Sequence, residues 1–193
     1  MTATPTSDAI TPPTADIAKT TPMPVVIRAL RVSDIPSIVA SKRFSETFLN
    51  TVVERVDWSH RKLRVFVAET PDTSELVGFA TVGLGYPDYF PKLDDAVVTQ
   101  MYLADITVVP AFQRRGVGLQ LLHFFRQEAE ALSVAVFRCE CSKEDFLVDF
   151  YAKIGLTPVP YKGSHAEYPD SHQMLELWLK PEFATVVNDS KAE

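Results

Sequence analysis

Cysteine is scarce: Cys139 and Cys141 are the only two in 193 residues. Both lie in a stretch that reads as a strand. Residues two apart there share a face but stand side by side, which is poor disulfide geometry. A structural zinc site needs four ligands or so, and the four histidines, His60, His123, His165 and His172, are scattered without ligand spacing. No metal site is expected, and the cysteines read as reduced core residues in a reducing compartment. No apolar run approaches the roughly 20 residues of a membrane-spanning helix. The N-terminus lacks the basic start and apolar stretch of a signal peptide, and carries Asp8 and Asp16 without arginine. A cytoplasmic protein with no membrane partner is expected. Positive charge is also in deficit, with a net charge of −6. That balance repels phosphate backbones, so nucleic acid is not an expected partner. It suits a cationic substrate such as an amine.

What is present suits one domain with tails. Residues 1–24 are rich in Thr, Pro and Ala, a composition that buries too little apolar surface to order itself. Residues 184–193 read as a second polar tail, leaving 25–183 as the domain. There is no internal repeat. A strand is predicted at Pro24–Leu30, then a helix capped by Ser33 or Asp34 with Ile35, Ile38 and Val39 on one stripe. A second helix is predicted from Phe44 to about Arg55. Lys62–Glu69 and Glu75–Gly83 read as a hairpin around the turn Thr70–Ser74. A loop of aromatics and acids follows, from Tyr86 to Asp95. Val98–Val109 is a long strand, and Gly116–Leu132 a helix with Val117, Leu121, Phe125, Ala129 and Leu132 on one face. Its charged face, with Arg126, Glu128 and Glu130, reads as solvated. Ser133–Cys141 reads as a central strand apolar on both faces. Asp145–Ile154 is a helix stopped by Gly155, and Leu156–Tyr161 and Gln173–Leu179 are the last strands. The expected fold is α/β: a mixed, mostly antiparallel central sheet flanked by helices.

The most informative stretch is Gln113-Arg114-Arg115-Gly116-Val117-Gly118-Leu119, between the long strand and its amphipathic helix. A helix start offers unpaired N–H groups and the positive end of the helix dipole, both of which favour an anion. Two glycines allow close approach, and two arginines add positive charge. No Gly-Lys-Ser/Thr follows, so this is not a Walker loop, and the third glycine of a dinucleotide fingerprint is missing. Ordinary helix-start packing with surface arginines would also fit these residues.

Gln113-x-x-Gly116-x-Gly118, after a strand ending Val108-Val109-Pro110, resembles the acetyl-CoA-binding motif of the GNAT superfamily of N-acetyltransferases. Three further stretches resemble that family. These are Asp149-Phe150-Tyr151-Ala152-Lys153-Ile154-Gly155-Leu156, Ile27-Arg28-Ala29-Leu30 through Asp34-Ile35-Pro36, and Leu76-Val77-Gly78-Phe79. The resemblance spans roughly residues 25–180. Phe146-Leu147-Val148-Asp149-Phe150-Tyr151 looks like the arylalkylamine N-acetyltransferases, with Asp149 in place of a proline. The paired histidines of those enzymes fall at Tyr102 and Ala104. Phe44-Ser45-Glu46-Thr47-Phe48 resembles a helix of bacterial polyamine acetyltransferases.

The resemblance implies acetyl-CoA as co-substrate and an amine as acceptor. The backbone from Gln113 to Leu119 would hold the pyrophosphate. Ile106, Thr107 and Val108 would line the thioester and pantetheine, with the Ile106 N–H facing the thioester oxygen. Tyr151 would be the general acid for the leaving thiolate; it could instead simply pack beside Phe150. An alkylamine is protonated at neutral pH and needs a base. Asp105, Glu46, Asp88 and His165 are the candidates, the last three also as acceptor-binding residues. The leading expectation is a small-molecule acceptor, an arylalkylamine or a polyamine. The alternatives are a protein N-terminus or lysine, and a non-catalytic acyl-CoA sensor. Either a monomer or a homodimer fits.

Overall fold

The computed structural model describes residues 21–31, 34–35, 63–84, 100–160 and 168–182. Within them, seven strands form one sheet in the order β1-β2-β3-β4-β5-β7-β6. They are β1 (Val26–Ala29), β2 (Leu63–Glu69), β3 (Leu76–Leu84), β4 (Gln100–Val108), β5 (Val136–Ser142), β6 (Thr157–Val159) and β7 (His172–Trp178). Every neighbouring pair is antiparallel except β4 and β5. Helix α1 (Val117–Ala131) makes the crossover between those two, as a parallel connection requires. Helix α2 (Asp145–Ala152) follows β5. It ends where Gly155 turns the chain at φ +93°, a left-handed conformation that favours glycine. The predicted helices around residues 35–39 and 44–55, and the aromatic loop 86–95, lie outside the described residues except for Ile35.

Periodicity explains which face each residue covers. The helix-facing side carries Phe66, Ala68, Ala80, Val82, Met101, Leu103, Phe137, Cys139 and Leu175, packed with Val117, Leu121, Leu122 and Phe125 of α1. Gly78 joins this face, where an added Cβ would sit 3.0 Å from the Thr107 carbonyl of β4 and 3.4 Å from Val117 of α1. Val65, Val67, Phe79, Thr81, Val136 and Met174 are buried as well.

In β4 the alternation slips once. Thr81 pairs with Asp105 and Val82 with Leu103, so Ala104 is an extra residue, a β-bulge. Met101 and Leu103 face α1 before the slip, and Ile106 and Val108 pack on the same core after it. Without the bulge, strict alternation would turn Asp105 into that core. With it, Asp105 and Thr107 take the opposite face beside buried Thr81.

The expectation that β5 is apolar on both faces is corrected by Arg138. It is buried and paired with Glu176 of β7 at 2.9 Å, both side chains less than 5% exposed. Arg138 also donates to Gln100 Oε1 at 2.9 Å, and Trp178 Nε1 donates to Glu176 at 3.0 Å. A buried charge persists only when paired and hydrogen-bonded in this way. The solvated face expected of α1 is also partly engaged: Arg126 pairs with Glu130 and donates to the Ile154 carbonyl at 3.0 Å, closing the end of α2.

At the sheet edge, Arg28 grips Asp34 in two hydrogen bonds of 2.7 and 3.1 Å and reaches Glu69 at 2.7 Å. This ties β1 to the end of β2 and to the segment after β1. The Asp34 carboxyl is held below its usual range, chiefly by the Arg28 hydrogen bonds and against the effect of burial. A carboxyl with a depressed folded pKa adds stability above its unfolded pKa of about 3.9, and loses that contribution as pH falls through the lower folded value. Asp34→Asn is expected to reduce stability to urea by about 1–2 kcal/mol at neutral pH. The gap from the parent should narrow below about pH 4; a gap unchanged in acid would contradict this account.

Candidate active site

β4 and β5 pair only from Gln100–Val136 to Leu103–Cys139. The bulge at Ala104 follows immediately, and a bulge bends its strand and ends regular pairing. Beyond it β4 stays on β3 while β5 stays on β7 as far as Ser142, so the two strands part and a gap opens between them. The Val109 N–H donates to the Val77 carbonyl at 2.9 Å, which turns Val109 toward β3. In an extended strand, N–H and C=O of alternate residues point to opposite neighbours. The backbones of Ile106 and Val108 therefore face the gap. Consistently, the Val108 carbonyl accepts from Gln113 Nε2 at 3.1 Å. The Thr107 carbonyl is turned to β3, 3.0 Å from where a Gly78 Cβ would sit, so its backbone faces away from the gap.

At the end of β4, a short 3-10 turn (Pro110–Phe112) leads into residues 113–116 and α1. Arg114 has φ +62° and Gly116 φ +81°. Among the described residues, no backbone carbonyl outside the helix accepts from Arg114, Arg115, Gly116, Val117, Gly118 or Leu119. The first turn of a helix supplies no internal acceptor for such groups either. A row of free N–H groups at the positive end of a 15-residue helix is an anion cradle. Arg114 and Arg115 are exposed beside it, and the Arg115 guanidinium lies over the Phe112 ring, 5.6 Å from its centre. Both glycines also have packing reasons invisible in the sequence. A Cβ at Gly116 would stand 3.0 Å from Pro22, and one at Gly118 would stand 3.1 Å from the Phe150 ring. Val117 is fully buried under the sheet and Leu119 packs at the edge of the core.

Tyr151, on α2, is 6% exposed and belongs to the helix-side core with Cys139 and Cys141. The Phe150 ring packs against it at 5.2 Å. Burial pushes the Tyr151 phenol well above its usual range, with further contributions from Cys139, Cys141 and Asp105. It is thus a proton donor that does not ionise at neutral pH. Burial raises both cysteines too, and both are free thiols, as expected from their spacing. Asp105 is close enough to act on Tyr151 electrostatically, yet the bulge puts it on the opposite sheet face.

The structure places Asp105, Ile106 and Val108 on β4, Tyr151 on α2 within electrostatic reach of Asp105, and the Gln113–Leu119 turn at the start of α1, where Gly118 lies against Phe150 and Val108. Glu46, Asp88 and His165 lie outside the described residues. Sequence reading missed the contributions of Pro22, Met23 and Gln120 to the turn. Composition places residues 21–24 in the tail, yet Met23 N–H donates to the Arg115 carbonyl at 3.0 Å. Among the described residues there is no metal-ligand cluster, and no helix is long and apolar enough to cross a membrane.

A family model described as an acetyltransferase (GNAT) domain matches residues 39–161, more than half of the chain. The chain belongs to the GNAT acetyltransferase family. Among solved structures it is similar to Arabidopsis thaliana NAA60 in complex with acetyl-CoA (15% identity, 81% of this chain and 99% of that chain, TM-score 0.56). It is also similar to the Escherichia coli ribosomal-protein-S18-alanine N-acetyltransferase (19% identity, 80% and 94%, TM-score 0.56). A third is the Thermoplasma acidophilum PaiA N-acetyltransferase in complex with coenzyme A (16% identity, 81% and 99%, TM-score 0.54). These likenesses establish the fold. A sequence comparison with curated proteins gives no match.

The Tyr151 environment can be read directly. Ultraviolet tyrosinate absorbance of the native protein and of Tyr151→Phe should coincide up to about pH 11, because the buried phenol does not titrate with ordinary tyrosines. Loss of one tyrosinate from the variant near pH 10 would contradict the assignment.

Proposed function

We propose that this chain transfers the acetyl group of acetyl-CoA directly to a primary amine held across the β4–β5 gap. The observation that carries this reading is the gap itself. It has inward-facing backbone at Ile106 and Val108, a protonated phenol on one sheet face and Asp105 on the other.

When bound, acetyl-CoA supplies an activated thioester. The turn from Gln113 to Leu119 binds its phosphates through backbone N–H groups, aided by Arg114 and Arg115. The Ile106 N–H stabilises negative charge developing on the thioester oxygen, and the Val108 backbone aligns the pantetheine arm. The bond from amine nitrogen to acetyl carbon forms and the carbon–sulfur bond breaks. Tyr151 gives its proton to the departing sulfur. The surplus amine proton leaves toward the opposite face, where Asp105 is the carboxylate on β4.

For the acceptor, the reading favours a small cationic amine, an arylalkylamine or polyamine. The support is the acidic balance of the chain, with a net charge of −6. A protein N-terminus is the second reading, favoured by the structural likeness to the S18-alanine N-acetyltransferase. A non-catalytic sensor has no need of a buried phenol at the gap, so Tyr151 weighs against it. The cytosol fits two reduced cysteines.

The test is coenzyme A release from acetyl-CoA with tryptamine, phenethylamine, spermidine, free amino acids and short peptides as acceptors, against a no-amine control. Release with the small amines and not the peptides is expected. Tyr151→Phe is expected to lower turnover by about 10²-fold or more while acetyl-CoA still binds. Peptide-only release would transfer the assignment to the second reading. Turnover unchanged in Tyr151→Phe would remove the phenol from the mechanism.

A further inference from the structure

We infer that the segment entering β1 is a working part of the cofactor site: Pro22 and Met23, latched by Gln120, form a strap that holds the phosphate-binding turn in its receptive shape. This rests on the reading of the Gln113–Leu119 turn as the phosphate cradle.

Three contacts define the strap. The Met23 N–H donates to the Arg115 carbonyl at 3.0 Å. Gln120 Nε2 donates to the Met23 carbonyl at 2.8 Å, across 97 residues of sequence, and reaches the Gly116 carbonyl at 3.3 Å. Pro22 lies so close to Gly116 that a Cβ there would stand 3.0 Å from the Pro22 Cβ. Gln120 N–H also donates to the Gly116 carbonyl, at 3.0 Å.

These bonds act on the carbonyls of the turn. Peptide N–H and C=O point in opposite directions, so fixing the Arg115 and Gly116 carbonyls onto protein partners leaves the N–H groups for an anion. The turn also needs such support. Arg114 is held at φ +62°, a left-handed conformation that costs a non-glycine residue about 1–2 kcal/mol. Strained backbone of this kind persists only where its surroundings enforce it. The Asp34–Arg28–Glu69 ties anchor β1 at the edge of the sheet, so the strap starts from a fixed strand. Gln120 is therefore a positioning residue: it shapes the cradle without touching the cofactor.

The experiment is calorimetric affinity for coenzyme A and for pantetheine, which has the same thiol arm without the phosphates. Gln120→Met keeps the length of the side chain and removes its donor. Coenzyme A affinity is expected to fall about three- to tenfold, the equivalent of one or two net hydrogen bonds, with pantetheine affinity unchanged. Pro22→Gly, which leaves the core untouched, should shift the same ratio in the same direction and serves if Gln120→Met does not fold. Unchanged coenzyme A affinity in both variants would overturn the strap. Equal losses for coenzyme A and pantetheine would also overturn it, marking a general loosening. The exposed double variant Arg114→Glu/Arg115→Glu separates the two readings. If it retains full coenzyme A affinity, the cradle itself fails and the strap with it. If it loses affinity while both strap variants keep theirs, the strap alone fails.

Discussion

A break in backbone pairing governs this molecule. A buried strand leaves few N–H and C=O groups unpaired, because each orphaned group costs free energy. β4 nevertheless stops pairing with β5 after Leu103–Cys139. The cause is local: Ala104 is an extra residue that bends β4 at the point where the two strands part. One consequence is a gap faced by the Ile106 and Val108 backbones. Another is a change of phase, so that Ile106 and Val108 stay on the core side while Asp105 turns away. A single inserted residue thus turns the Ile106 and Val108 backbones to the gap and sets the Tyr151 phenol and the Asp105 carboxylate on opposite faces of the sheet.

The rest of the fold holds that arrangement in place. α1 buries Val117, Leu121, Leu122 and Phe125 against the sheet, so the N-terminus of the helix is rigidly set at the end of β4. α2 packs on the same face over β5 and β6, and Phe150 wedges against Gly118 while Tyr151 fills the core. The close approach of α1 and α2 is why position 118 carries no side chain. In the described residues, Gln113 bonds to the Val108 carbonyl, one of the groups that faces the gap. Turn and gap are therefore linked through one side chain.

Much of this was legible in the sequence. The strands at 26–29, 63–69 and 76–84 follow from β-branched runs around a polar turn, and α1 from its apolar stripe. The glycine turn announced itself by its place between a strand and an amphipathic helix. The phase slip is also written in the chain, since Met101 and Leu103 alternate in one phase and Ile106 and Val108 in the other; that signal was there to be read. Other features were not local. Nothing around Arg138 identifies its partner as Glu176, because the pair forms only through β5–β7 registry. Nor does the composition of residues 21–24 disclose the turn they cross. Thr- and Pro-rich sequence argues against a self-sufficient core, and Met23 instead borrows its partners from residues 115 and 120. Gly116 and Gly118 look like anion-approach glycines in sequence, whereas their neighbours Pro22 and Phe150 come from distant elements.

If the gap and the turn form one acetyl-CoA site, an amide-resolved NMR titration of the full chain with coenzyme A will report both at once. Ile106 and Val108 in the gap are expected to shift together with Arg114 to Leu119 in the turn, at one common affinity. The β1–β2 edge, including Arg28 and Glu69, should stay unmoved. Shifts confined to other parts of the sheet, or a turn that responds while Ile106 and Val108 do not, would contradict it.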